Sequence, residues 1–346
     1  MVCIAAFIIL ALAGIFVAIL SIFKPTLWKK YLNLLKRSFH CFSRRIRLKK
    51  CDTNFSEDIK TSILKKVVLK KPKLVKPISI TIEIASILVV IITAWSFVEA
   101  VKAGLALWVF GTCNVSQPSH CALGAESCSL DDEDPTNLGE YVVRWFDEWG
   151  EIFSNIPDRL KDWRATDYDL NLAFVSGNKD SDNVALMLLD PGCSACMQSY
   201  KNLMRDEKFL NNHKINVVAF PIMENTETPK FKNSPLIAKY MLAAGDNYAE
   251  KILTRIFTEY DDNHIIYQNK FNNDYSAEEA EKTLQSWLKE WGVKDDEIKK
   301  TADRVKSSEI QEKLNHNQEI VSSDIKPKGI PTSIYDGKKH LGVYKS

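Results

Sequence analysis

The chain has no charged residue between positions 2 and 23, no basic stretch ahead of that run, and no clear small-x-small site behind it. The first absence leaves an apolar run long enough to cross a bilayer, whose hydrocarbon core needs about 20 such residues. The other two exclude the layout of a cleaved secretory signal, with its positive leader and small-residue cleavage site. Acidic residues are scarce at positions 24–76, where 17 Lys or Arg stand against 3 Asp or Glu. Zinc patterns are absent too: His120 lies near Cys113, Cys121 and Cys128, yet their spacing matches no familiar zinc motif.

What is present begins with a second apolar segment at 78–110, whose uncharged centre from Ile84 to Val98 is flanked by Glu83, Glu99 and Lys102. It reads as a second span once a flanking charge sits at an interface, or Glu99 pairs with Lys102 at helical spacing. Positive charge gathers between the two spans, in runs such as Arg44-Arg45-Ile46-Arg47-Leu48-Lys49-Lys50 and Lys70-Lys71-Pro72-Lys73, which places the loop at 24–77 in the cytoplasm. Basic segments beside a membrane are attracted to anionic headgroups by about 1 kcal/mol per charge, so the expected partner of this loop is membrane lipid and not nucleic acid. Both chain termini then lie outside the cytoplasm. The net charge of +2 conceals the asymmetry, because residues 126–158 are strongly acidic.

The eight cysteines divide along the same line. Cys3 reads as a small apolar residue of the first span. Cys41 and Cys51 fall in the basic loop and are expected to stay reduced. Cys113, Cys121 and Cys128 follow the second span, in a compartment where disulfides persist. Their number is odd, so one pair is expected to staple the linker while the third bridges to another chain or stays free. From Leu138 to Trp163 the acidic segment becomes amphipathic, with Leu138, Val142, Trp145, Trp149, Ile152, Phe153, Ile156, Leu160 and Trp163 recurring every three or four residues. This is one helix, or two broken near Pro157. Its apolar face suits intramolecular packing, a membrane surface or a second copy.

The strongest chemical signal is Asp190-Pro191-Gly192-Cys193-Ser194-Ala195-Cys196, which follows the apolar run Val184-Ala185-Leu186-Met187-Leu188-Leu189. The run reads as a buried strand, Pro191 and Gly192 break it, and Met197, Tyr200, Leu203, Met204 and Phe209 carry a helical pattern onward. Cys193 then sits at a helix N-terminus, where unpaired N–H groups and the helix dipole favour a thiolate. Such settings lower a cysteine pKa from about 8.5 to roughly 3.5 to 7.5, so Cys193 is the expected exposed nucleophile and Cys196, one turn inside, the shielded resolving thiol. Spacing alone also fits metal sites and structural bridges. Further on, Gly329-Ile330-Pro331-Thr332-Ser333-Ile334-Tyr335, the turn Asp336-Gly337-Lys338 and a run beginning at His340 read as a hairpin with proline heading its first strand.

These two motifs resemble the thioredoxin superfamily, in particular the DsbA, DsbC and DsbG group of bacterial periplasmic disulfide oxidoreductases and isomerases. Asp190-Pro191-x-Cys193-x-x-Cys196 is similar to the DsbG-like active-site motif, and Gly329-Ile330-Pro331-Thr332 to the family's cis-proline loop. The resemblance covers residues 171–346 and implies an α/β thioredoxin-like fold with a helical insertion at about 234–322; the two transmembrane helices read from the apolar runs precede it. Within the insertion Ser276 and Glu279 form a capping box, Leu284, Trp287, Leu288 and Trp291 read as core, and Gly292 as a stop. The resemblance further implies a Cys193–Cys196 redox disulfide, with Ile330, Pro331 and Thr332 lining the groove whose backbone pairs with substrate peptide. No organic or metal cofactor is required.

The sequence departs from the family in three respects. Ser194-Ala195 is neither the Pro-His of the strong oxidants nor the Gly-Pro of thioredoxins. Met187 stands where many relatives have a buried acid, and Asp190, the nearest carboxylate, reads as a solvated loop acid. The sequence also ends shortly after the hairpin, before the helix that usually follows. The expected organisation is thus a first span at 1–23, the basic loop, a second span at 78–110, a cysteine-containing linker with its amphipathic helix at 111–170, and the thioredoxin-like domain. The implied place is the bacterial inner membrane, crossed twice, with that domain in the periplasm. Implied partners are protein thiol or disulfide substrates and a redox partner, with two routes to a homodimer: the linker cysteines and the amphipathic helix. Two other readings are a redox-inert scaffold of an envelope assembly, and vicinal thiols that chelate a soft metal such as Cu(I).

Overall fold

A computed structural model describes residues 25–47, 75–121, 126–130, 135–224 and 228–345, together with Ile9 and Thr61. The chain divides into two compact units, Met1–Val101 and Lys102–Ser346. The first apolar run, at 2–23, lies outside the described residues but for Ile9.

In the first unit the basic segment opens with a helix, α1 (Pro25–Ile46). Proline suits a first helical position, and the Leu, Lys and Arg that follow are good helix formers. Cys41 is buried and stands in a disulfide, where the sequence predicts a reduced thiol. Helix α2 (Val75–Phe110) has 36 residues and begins three residues earlier than predicted. At 1.5 Å per residue it is about 54 Å long, more than the ~30 Å hydrocarbon core requires. Ile84, Leu88, Ile91, Ile92 and Phe97 are exposed, Phe97 by 70%. A helix apolar on every side and this bare of protein cover belongs in a membrane. Within the helix Ser86 Oγ donates to the Ile82 carbonyl at 2.7 Å and Thr93 Oγ1 to the Val89 carbonyl at 2.7 Å, which satisfies these hydroxyls as a span requires. It is the one described helix long and apolar enough to cross a bilayer.

The second unit is built on a five-stranded sheet in the order β2-β4-β3-β6-β7, from β2 (Phe174–Gly177), β3 (Val184–Leu189), β4 (Lys214–Ala219), β6 (Thr332–Tyr335) and β7 (Lys338–Leu341). Strands β3 and β4 are parallel; β2, β6 and β7 join antiparallel to their neighbours. Residues 185–189 are all buried, which explains the uninterrupted apolar run of β3: a central strand covered on both faces has no solvent side to alternate with. The β6–β7 turn puts Asp336 at φ 49° and Gly337 at φ 75°, the left-handed pair that a two-residue hairpin turn needs.

Helix α5 (Ser194–Leu203) follows β3 and buries Tyr200 and Leu203. The helical pattern does not continue unbroken to Phe209. The chain turns after Leu203, and Asp206, a good N-cap, accepts from Phe209 N at 3.0 Å to start a new helix, α6 (Glu207–Asn212). The insertion between β4 and β5 (Gly329–Ile330) is helical: α7 (Ser234–Ala244), α8 (Asp246–Thr258), α9 (Ala277–Glu290), α10 (Asp295–Val305) and α11 (Ser308–Ile320). The Ser276–Glu279 capping box forms at the start of α9, and Leu284, Trp287 and Leu288 are buried. Trp287 carries the Arg255 guanidinium over its ring at 4.9 Å.

Ahead of the sheet, Cys113 and Cys121 are disulfide-bonded around the turn Pro118–His120, and the short strand β1 (Cys128–Ser129) follows. The amphipathic stretch forms two helices, α3 (Leu138–Ser154) and α4 (Ile156–Leu160), with Pro157 in the first turn of the second. Its apolar face is divided: Ile152 and Trp163 are buried and Trp145 and Trp149 half-buried, whereas Leu138, Val142, Phe153 and Leu160 stay exposed.

Candidate functional site

Strand β3 ends at Leu189 and delivers Asp190, Pro191 and Gly192 to the start of α5, so that Cys193 is its N-cap residue and Cys196 lies in its first turn. Gly192 is required there by close packing, because a Cβ at that position would lie 2.3 Å from Phe231 Cβ. Two side chains from the insertion hold this loop. Gln268 donates to the Pro191 and Cys193 carbonyls, each at 3.0 Å, and Asn272 to the Gly192 carbonyl at 2.8 Å. They are four residues apart, on the short helical turn Tyr267–Asn269 and its continuation, and nothing in the sequence marks them as site residues.

The proline loop lies against the sulfurs. The Ile330–Pro331 bond is cis, the Ile330 carbonyl oxygen is 3.5 Å from Cys193 Sγ, and Pro331's carbonyl accepts from Gly342 N at 2.7 Å. Thr332 is buried and donates through Oγ1 to the Gly329 carbonyl at 2.7 Å. The residues expected to form the site, Cys193, Cys196, Ile330, Pro331 and Thr332, are therefore gathered at one end of β3 and β6.

The bonding differs from expectation. Cys193 is joined to Cys128, 65 residues upstream, and Cys196 is the free thiol among the described cysteines. A Cys193–Cys196 disulfide is not the bond in this structure, and Cys193 is fully buried where the sequence predicts an exposed nucleophile. The physical reason is β1. It pairs antiparallel with β5, Cys128 opposite Ile330 and Ser129 opposite Gly329, and so covers the sulfur it is bonded to. Cys113, Cys121 and Cys128 are all bonded within the chain, leaving none for the interchain bridge that their odd number suggested. In this state the pair also presents one thiol, not the two that soft-metal chelation would use.

Asp190 corrects a second expectation. It is fully buried, not solvated, and accepts from Gly192 N at 2.7 Å, from Ile222 N at 2.6 Å and from the Ser234 hydroxyl. Burial pushes its pKa up to about 6, against the pull of those donors and of Lys230. Its backbone N–H donates to Cys196 Sγ at 3.3 Å. Burial, and then the Asp190 charge, pushes the Cys196 thiol well above its ordinary range. Met187 leaves no acid within β3, but the carboxylate arrives one residue beyond the strand's end. The cue lay in Ser234, distant in sequence, and could not be recognised without the fold.

A cavity of about 1050 Å³, bordered by Tyr200, Lys251 and Trp291, is not lined by Cys128, Cys193, Cys196 or Pro331. No group of three metal-ligating side chains occurs among the described residues.

The strand order, the cysteine pair opening the helix after β3 and the proline loop beside it define an α/β thioredoxin-like architecture with a helical insertion. Among solved structures, the thiol-disulfide exchange protein alpha-DsbA2 from Wolbachia pipientis is 21% identical, with 51% of this chain and 82% of that one covered and a TM-score of 0.37. A thioredoxin-like oxidoreductase from Silicibacter pomeroyi is 14% identical over 51% and 87% of the two chains, TM-score 0.38. Proteus mirabilis ScsC in a transitional conformation is 11% identical over 60% and 88%, TM-score 0.37. With every TM-score below 0.5, these likenesses carry no argument. No family model and no curated protein matches the chain.

Proposed function

We propose that the chain is a membrane-anchored thiol-disulfide oxidoreductase or isomerase acting on protein substrates outside the cytoplasm. The observation that carries this reading is the placement of Cys193 at a helix N-terminus beside the Ile330 carbonyl, in a disulfide with an extended strand paired to the proline loop. In the reducing direction the Cys193 thiolate attacks a client disulfide, one client sulfur leaves, and a mixed disulfide forms. Cys196 then attacks Cys193 Sγ, which releases the reduced client and leaves a Cys193–Cys196 disulfide. Near neutral pH Cys196 holds its proton and Asp190 is ionised, so the Asp190 carboxylate is the group that takes that proton as Cys196 attacks. Backbone groups at Ile330 and Gly329 hold the client strand, with Pro331 and Thr332 shaping the groove. No cofactor enters the exchange.

The two linker-side disulfides suit an oxidising compartment, and the basic segment at 24–77 favours a two-pass topology with both termini in the periplasm. Reduction of insulin by the full-length chain in detergent, with dithiothreitol as electron source, tests the chemistry. Turnover is expected from the wild type and none from Cys193→Ser; equal turnover by both would refute the assignment.

A further inference from the structure

The segment at 126–130 occupies the groove in the manner of a client. It is extended, pairs antiparallel with β5, and carries a cysteine bonded to the nucleophile. It is also tied to three neighbouring parts of the chain. Glu126's carbonyl accepts from Val343 N at 2.9 Å, Ser129's carbonyl from Lys230 Nζ at 2.9 Å, and the Ser129 hydroxyl bonds that of Ser119 at 2.8 Å. Ser119 belongs to the turn enclosed by the Cys113–Cys121 disulfide, so the staple supports the strand. Gly329 allows the close approach, since a Cβ there would meet the Cys128 carbonyl at 2.8 Å. Ser127 and Ser129 are both buried, which makes small polar neighbours the side chains this groove accepts beside a cysteine.

We propose that Cys128 is a third redox-active cysteine and that residues 126–130 are the site's own resident substrate, which an extended client bearing Cys among small polar residues must displace. This rests on the thiol-disulfide reading of the site. Deprotonated Cys196 attacks Cys193 Sγ, the Cys128–Cys193 bond breaks, a Cys193–Cys196 bond forms, and Cys128 leaves as a thiolate that takes up the proton Cys196 gave up. One disulfide is exchanged for another, so the step needs no external oxidant or reductant. Release of Cys128 opens the groove, and the reverse step closes it.

Two measurements on the full-length chain in detergent test this. The first maps disulfides by mass spectrometry after alkylation in a glutathione redox buffer. The wild type should divide between Cys128–Cys193 and Cys193–Cys196, Cys196→Ser should hold only Cys128–Cys193, and Gly329→Ala, which crowds β1 without removing a sulfur, should shift the division toward Cys193–Cys196. The second measures, by the same mass spectrometry, glutathione held on Cys193 at about 10 μM glutathione in Cys196→Ser and in Cys128→Ser/Cys196→Ser. A tethered thiol acts at an effective concentration on the order of mM, so against about 10 μM glutathione its removal should raise the bound fraction on the order of 100-fold. Absence of the Cys128–Cys193 bond from the oxidised wild type, or equal glutathione binding with and without Cys128, would overturn the proposal. No insulin reduction by the wild type with dithiothreitol, while the two bonds still interchange, would instead refute the enzymatic reading and leave the relay standing.

Discussion

Asp190 offers a sharp test of the site's electrostatics. Its pKa is raised from an ordinary 3.8 to about 6, so the folded chain binds a proton that the unfolded chain has released between those pH values. Stability from this group is therefore fully present below pH 3.8 and is lost as pH rises through about 6. A shift of 6 − 3.8, near 2 pH units, corresponds to about 3 kcal/mol, of which about 2 kcal/mol falls between pH 4 and 7.5. Asp190→Asn cannot ionise and abolishes that slope. It keeps one acceptor oxygen but turns an amide toward donors at Gly192, Ile222 and Ser234, which costs about 1–3 kcal/mol for an unpaired buried donor. The variant should be less stable than wild type at pH 4 and close to it at pH 7.5. Urea unfolding of the full-length chain in detergent, followed by tryptophan fluorescence at both pH values, measures the difference. A gap between the two proteins that stays constant with pH would refute a buried, proton-binding Asp190.

Other outcomes follow from the same geometry. Client-linked thiol exchange should fall on acidification through pH 6 in the wild type, as Asp190 gains its proton, and lose that limb in Asp190→Asn; a stopped-flow pH profile shows it. Replacing Cys113 and Cys121 by Ser should cost about 2.5 kcal/mol from loop entropy for a separation of 8 residues, and loosen protection of the 126–130 amides in hydrogen exchange. Phosphatase fusions after Ser346 should be active and those at Thr61 inactive; since Cys41 is in a disulfide that a reducing cytoplasm would not sustain, the reverse result would place the basic segment outside.

The sheet was legible because its signals are local. Residues 184–189 form an unbroken apolar run, Asp336-Gly337 is a turn sequence, and Pro331 heads its strand. The same holds for the helix start at Cys193 and for the box at Ser276 and Glu279. What could not be read is long-range. The partner of Cys193 is decided by how residues 126–130 cross β5, and cysteine counting cannot see a pairing 65 residues apart. Asp190 is buried because Ile222 and Ser234 supply donors from other elements, and Gln268 and Asn272 reach the loop from an insertion whose sequence reads only as helix. The basic segment at 25–46 reads equally well as topology signal and as helix, because Lys and Arg serve both.

The central claim is that Cys193 forms the bond to clients and Cys196 breaks it. Cells expressing full-length Cys128→Ser/Cys196→Ala or Cys128→Ser/Cys193→Ala, lysed under acid and alkylation, provide the direct measurement: count the disulfide-linked adducts on non-reducing gels. The account predicts abundant adducts with the first, because nothing resolves them, and few with the second. Equal adducts in both, or none in either, would contradict it.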